Sequence, residues 1–129
     1  MRITHIAIWT NNLENLKNFY LKYFNGKSNQ KYKNIKKGFE SYFISFDDGA
    51  KLELMNRFDI SEEKNEVNKE YVGICHFAIS VGSRGMVKEL TEVLKKNGYL
   101  VIGEPRITGD GFYESLVLDP DKNRIEITE

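Results

Sequence analysis

Two stretches decide the fold: His5-Ile6-Ala7-Ile8-Trp9 near the start of the chain, and His76-Phe77-Ala78-Ile79-Ser80, 71 positions later. Each alternates an apolar side chain with a second, more mixed set, the period-two pattern of a strand with one covered face. Each is followed by an amphipathic helix. After the first strand, Leu13, Leu16, Phe19, Tyr20, Tyr23 and Phe24 recur at helical spacing. Asn11, with Glu14 three residues on, reads as a capping box, and Asn25-Gly26 as the stop. After the second, Ser83 can cap, Met86, Val87, Leu90, Val93 and Leu94 make the stripe, and Asn97-Gly98 closes it.

The parallel continues downstream. Phe39-Glu40-Ser41-Tyr42 matches Tyr113-Glu114-Ser115-Leu116 at an offset of 74, and Leu52-Glu53-Leu54 matches Ile125-Glu126-Ile127 at 73. A polar turn precedes each of the last pair, Asp47-Asp48-Gly49 in one half and Asp119 to Asn123 in the other. A further strand is expected between Lys27 and Tyr32, and another between Tyr99 and Ile107. Four features in one order make a sequence repeat, so the chain reads as two strand–helix–strands modules. Module one covers 1–58 and module two 72–129. The intervening 59–71 is read as a linker, because Ser61 to Glu70 is almost entirely polar and has no apolar face.

Bulk composition narrows the function classes. At 129 residues, with 40% hydrophobic and 29% charged residues, the chain is an ordinary globular one. Lys plus Arg equals Asp plus Glu at 19 each. The basic excess that nucleic-acid binding draws on is therefore missing, and no nucleic acid is expected as partner. No stretch is apolar for the length of a bilayer, the first ten residues lack a signal-peptide pattern, and the one cysteine, Cys75, allows no intrachain disulfide. A cytoplasmic protein without a membrane partner is the expectation. Cys75 falls on the helix-packed side of its strand and is read as inert packing.

Alternation assigns faces to the remaining chemistry. Ile6 and Ile8, Phe77 and Ile79, Leu52 and Leu54, and Ile125 and Ile127 take the faces the helices must cover. His5, Glu53, His76 and Glu126 are thereby left on the opposite faces. Taken singly, a histidine in an apolar strand is commonly a hydrogen-bonded residue, and a glutamate between apolar neighbours commonly just a solvent-facing one. The pairing changes the odds, since the chain has only two histidines and both occupy the same place in the repeat. Two imidazoles and two carboxylates suit zinc, nickel, cobalt, manganese or iron, and leave open positions on a six-coordinate ion.

These residues, together with the closing Leu118-Asp119-Pro120-Asp121-Lys122-Asn123-Arg124-Ile125-Glu126, resemble the vicinal oxygen chelate superfamily over essentially the whole chain. The ending is similar to that family's Asp-Pro-x-Gly-x-x-x-Glu, with Lys122 where a glycine is often found. The resemblance implies an α+β fold, two βαβββ modules forming curved mixed sheets with helices on the outer face. Within the family, His-Glu-His-Glu is similar to the pattern of glyoxalase I, with Glu53 the discriminating residue. That likeness implies a metal-dependent lyase or isomerase acting on a hemithioacetal of methylglyoxal or a similar α-oxo compound. It implies a divalent metal (zinc, nickel, cobalt or manganese) on His5, Glu53, His76 and Glu126. Glu126 is then the catalytic base and Glu53 shares its work. A small-molecule substrate, in the form of a thiol adduct, and a homodimer follow from the same likeness. The alternatives are an acyl-CoA epimerase or dioxygenase on the same scaffold, or a metal-free binding module. Arg57, Arg106 and Lys122 are the cations available to an anionic thiol, or else plain surface charges. Trp9 either lines the pocket or simply packs.

Overall fold

The structure, a computed structural model, describes residues 1–61, 69–70 and 72–129. Most of the stretch read as a linker lies outside the described residues. The chain forms two compact units, Met1–Lys64 and Asn65–Glu129.

In the first unit, strand β1 (His5–Trp9) leads to helix α1 (Leu13–Tyr23), then β2 (Lys27–Ser28), β3 (Tyr32–Asn34), a 3-10 turn over Ile35–Lys37, β4 (Phe39–Ser45) and β5 (Lys51–Arg57). The sheet runs in the order β1-β5-β4-β2, with β3 also on β4. β1 and β5 are parallel, the remaining pairs antiparallel. Helix α1 buries Leu13, Leu16, Phe19 and Tyr20, which pack above Leu52, Leu54, Tyr42 and Ile44 on the sheet. Burying such a set is worth about 1.5–3 kcal/mol per large side chain and sets which sheet face is covered. The cap is one residue later than the sequence suggests. Asn12, not Asn11, accepts the bond from Asn15 N at 3.1 Å. Glu14 then serves the tertiary structure. Its carboxylate accepts from Tyr42 Oη at 2.9 Å and pairs with Lys17 at 2.5 Å and Lys31 at 2.7 Å, tying the helix to β4.

The second unit repeats the plan with β6 (Phe77–Ser80), α2 (Arg84–Lys96), β7 (Val101–Ile107), β8 (Tyr113–Leu118) and β9 (Arg124–Thr128), in the sheet order β6-β9-β8-β7. Ser83 caps α2 through Met86 N, as the sequence suggests. The buried stripe is centred on Val87, Thr91 and Leu94, leaving Met86 and Val93 outward. Thr91 is buried because its hydroxyl is satisfied twice, by Val87 O at 2.6 Å and Ser115 Oγ at 2.7 Å. The βαβββ plan read from the sequence is thus present in both units, with β3 an addition in the first.

The ladders correct one alignment. β4 and β5 are joined by residues 46–50, and β8 and β9 by 119–123, so the two connections are equal in length. Phe43 stands opposite Glu53, and Leu116 opposite Glu126, an offset of 73 throughout. The structural counterpart of Glu114 is therefore Ser41, not Glu40. A one-residue slip in a strand exchanges its faces, and Glu40 does lie on the helix side, bonded to Lys31 and Lys33.

Candidate metal centre

On the uncovered face of the first sheet, His5 comes from the edge strand β1 and Glu53 from the adjacent β5. The register pairs Ala7 with Glu53, so His5 sits one same-face row away. A long carboxylate side chain spans that diagonal. His5 Nε2 lies 3.7 Å from Glu53 Oε2, and Phe43 packs edge-on against the imidazole at 5.5 Å. The second sheet does the same with His76, just before β6, and Glu126 on β9. Here Ala78 pairs with Glu126, and His76 Nε2 is 3.2 Å from Glu126 Oε2. Both glutamates are mostly covered, 18% and 19% exposed, and both histidines are more open.

Two donors held about 2.0–2.2 Å from one ion at tetrahedral or octahedral angles lie roughly 3.0–3.5 Å apart. The His76–Glu126 pair meets this spacing as it stands, and the His5–Glu53 pair needs a closure of a few tenths of an ångström. Each pair therefore fits one edge of a metal's coordination shell. Among the described residues, no three or more His, Cys, Asp or Glu side chains gather into an ion-sized cluster. The structure brings the four sequence-selected residues together as two pairs, one in each unit.

The rows beside the two pairs differ. In the first unit Trp9, Phe39 and Tyr32 continue the uncovered face as an aromatic patch, with ring centroids 6.1 Å apart in each neighbouring pair. Arg57 lies over Trp9 at 5.4 Å and is paired with Asp59 at 2.5 Å. In the second unit the neighbour of Glu126 is Glu114, whose carboxyl lies within hydrogen-bonding reach. Burial first, then the adjacent Glu126 charge, push the Glu114 carboxyl above the ordinary carboxylate range, while Arg106, 3.5 Å away, pulls it down. Glu114 was not picked out from the sequence, because its chemical likeness to Glu40 hid it. Counting back from Glu126 through a turn as long as the one before Glu53 would have found it.

Two other sequence expectations change. Cys75 is exposed, not packed under a helix. It precedes β6, and its Sγ lies 3.2 Å from Arg124 Nη1 and 3.5 Å from Glu70 Oε2. Lys122 adopts a left-handed backbone with φ of 68°, which explains why a glycine is the easier residue in that turn. The turn is held instead by Asp119, whose carboxylate accepts from Asp121 N, Asn123 N and Asn123 Nδ2. No helix among the described residues is long and apolar enough to cross a membrane.

Comparison with known proteins agrees with the fold. The family model described as Glyoxalase/Bleomycin resistance protein/Dioxygenase superfamily matches residues 2–127. The fold is similar to the trypanothione-dependent glyoxalase I of Leishmania major, with a TM-score of 0.79 at 23% identity, covering 100% of this chain and 86% of that one. It is similar to glyoxalase I from Zea mays, with a TM-score of 0.78 at 22% identity, covering 98% of this chain but 44% of that one. The chain thus spans less than half the length of the maize enzyme. A glyoxalase/bleomycin resistance protein/dioxygenase domain from Frankia sp. EAN1pec gives 0.81 at 15% identity, covering 99% and 96%. At these identities the likeness establishes the fold. No curated protein sequence matches the chain.

Proposed function

Because the chain belongs to the Glyoxalase/Bleomycin resistance protein/Dioxygenase superfamily, we propose that it is a divalent-metal lyase-isomerase of the glyoxalase I type. Its substrate is a hemithioacetal of methylglyoxal or a similar small α-oxo compound. His5, Glu53, His76 and Glu126 are the ligands. The observation that carries this reading is the equivalence of the two His–Glu pairs, 3.7 and 3.2 Å apart on corresponding strands. A solvent-facing histidine and glutamate have no reason to recur in this way in both halves of a repeat.

A bound divalent ion supplies positive charge that stabilises the negative charge developing on the substrate oxygens. The chain's own residues do the rest. Glu126 takes the proton from the carbon bearing sulfur and returns it to the neighbouring carbon, turning a hemithioacetal into a 2-hydroxy thioester with no net change in atoms. Glu53 holds the ion and shares the proton-transfer work. His5 and His76 donate neutral ring nitrogens, which fix the ion without adding negative charge. We further propose that the working species is a homodimer, to be checked by sedimentation.

The test is elemental analysis of protein purified without chelator, followed by a hemithioacetal isomerase assay with methylglyoxal and a panel of thiols. Stoichiometric divalent metal and metal-dependent thioester formation are expected. Protein that neither retains nor takes up metal, yet binds a small molecule, would point to a metal-free binding module. Iron with oxygen-dependent turnover would point to a dioxygenase.

A further inference from the structure

The row of the second sheet next to Glu126 is polar from edge to edge. The strand registers place Ser80 of β6 beside Thr128 of β9, Thr128 beside Glu114 of β8, and Glu114 beside Arg106 of β7. The row shares the face of Glu126, which lies two residues before Thr128, about 7 Å along the strand. The corresponding row of the first unit is Trp9, Met55, Ser41 and Tyr32, and it is largely apolar. Two features mark the polar row as a place for a ligand. Thr128 Oγ1 is buried with no hydrogen-bond partner among the described residues, although the residue as a whole is only half-buried. An unsatisfied buried hydroxyl serves the fold less well than a methyl group in its place. A turn about χ1 moves that hydroxyl to another staggered position, where a bound group can satisfy it. At the far end, a Cβ on Gly103 would come within 2.8 Å of Arg106 Nη1, so the bare glycine makes room for the guanidinium. Gly103 stands opposite Leu116 and Leu116 opposite Glu126, so this donor reaches back toward the row of Glu126. Its charge is already met by Glu114 at 3.5 Å.

The chemistry of the row selects its partner. The Ser80 and Thr128 hydroxyls both donate and accept, Arg106 donates, and a Glu114 oxygen accepts. With the guanidinium already paired, the row offers hydrogen bonds in both directions and no spare charge. Neutral groups that also donate and accept, hydroxyls and amides, match it, whereas an apolar group would leave its polar atoms unpaired. We propose that Ser80, Thr128, Glu114 and Arg106 bind the thiol-derived arm of the substrate, and that this arm carries neutral hydroxyl or amide groups. This rests on the reading of the chain as a hemithioacetal isomerase. A small α-oxo compound such as methylglyoxal brings only a methyl group beyond its reacting carbons, so the hydrogen-bonding arm is the thiol's.

The test compares hemithioacetals of methylglyoxal with 1-thioglycerol (hydroxylated), N-acetylcysteamine (an amide), 1-propanethiol (apolar) and mercaptoacetate (anionic). KM for the first two is expected to lie roughly two- to tenfold below that for the others, the worth of one hydrogen bond. Thr128→Val keeps the side-chain shape and should raise KM for the 1-thioglycerol adduct by a similar factor, with kcat little changed. Thr128→Ser should retain the preference. Ser80→Ala, at the exposed end of the row, should lose part of it and serves if Thr128→Val does not fold. Saturation-transfer NMR of 1-thioglycerol on the metal-free protein gives a second readout, strong for the parent and weak for Thr128→Val. A parent that prefers 1-propanethiol or mercaptoacetate, or variants that keep the parent's preference, overturns the polar row and leaves the isomerase reading intact. No turnover with any thiol, beside saturation transfer that Thr128→Val abolishes, overturns the isomerase reading and keeps the row as a site for neutral polar groups. Neither turnover nor saturation transfer overturns both.

Discussion

The two units carry the same His–Glu pair on the same strands, yet surround it differently. Beside Glu53 the uncovered face continues into Trp9, Phe39 and Tyr32. Beside Glu126 it continues into Glu114 and Arg106. The β4–β5 and β8–β9 ladders keep a constant offset of 73, so the difference lies in the side chains they carry and in β3, which brings Tyr32 to the first unit. A repeat of this kind separates two demands. If the shared positions hold an ion as proposed, the positions one row away are free to specialise: those of the first unit are aromatic and those of the second are charged. On the proposed reading the second unit carries the base, and the first presents an aromatic patch.

The largest test of that division is to neutralise the two glutamates in turn. Glu126→Gln keeps size and an oxygen ligand but removes the base, and turnover should fall by roughly 10² to 10⁴ with metal largely retained. Glu53→Gln should cost clearly less. Equal losses measured in the isomerase assay would make the two units equivalent and dissolve the comparison.

Metal content comes next. His5→Ala and His76→Ala should each lose most bound metal while remaining folded, measured by elemental analysis and circular dichroism. The loss should be larger for His76, whose partner already stands at ligand spacing. Full metal in both variants would remove the site altogether.

A smaller effect is expected at the aromatic face. Aromatic contacts of this kind contribute about 0.5–1.5 kcal/mol, so Trp9→Ala should raise KM by roughly two- to tenfold with kcat little changed. The increase should grow with the apolar bulk of the α-oxo substrate. A Trp9→Ala variant with lowered kcat and unchanged KM would place Trp9 in the chemistry instead.

How much of this was legible in the sequence follows from period and length. The repeat came from matched motifs in one order, both helices from apolar residues at helical spacing, and the faces of the four paired residues from alternation, because a strand with one covered face must alternate. Glu114 did not. Matching Phe39-Glu40-Ser41-Tyr42 to Tyr113-Glu114-Ser115-Leu116 by likeness shifts β8 by one residue, and in a period-two element one residue is the whole difference between core side and open side. Thr91 was missed for a related reason. A hydroxyl is counted as polar until its partners, Val87 O and Ser115 Oγ, are known. Asn11 and Asn12 are indistinguishable as caps until backbone geometry chooses between them.

The smallest expected effect concerns stability with pH and again divides the units. The three bonds from Lys17, Lys31 and Tyr42 lower the Glu14 carboxyl from 4.5 to about 2, and Glu14 in turn raises Lys31 from 10.5 to about 12. A carboxylate whose folded value is depressed stabilises the fold above 4.5 and stops doing so as pH falls toward 2. A lysine whose folded value is raised stabilises it below 10.5 and stops as pH climbs toward 12. Glu14 is half exposed, so the contribution is at most about 1 kcal/mol, or a few degrees in thermal midpoint near neutrality. Glu14→Gln should show that deficit at pH 7 and none near pH 2, measured by thermal melts. A deficit independent of pH would mean the variant disturbs packing and not charge.

Cys75 gives the doubled frame a single handle. It is the chain's sole thiol, it is exposed, and it stands one residue before His76, with no counterpart beside His5. A maleimide fluorophore or nitroxide attached there marks one half of the molecule and leaves the other silent. Quenching by a paramagnetic ion then reports metal bound beside His76. Chemically the two halves are already distinguishable, and spectroscopy can address one of them without a mutation.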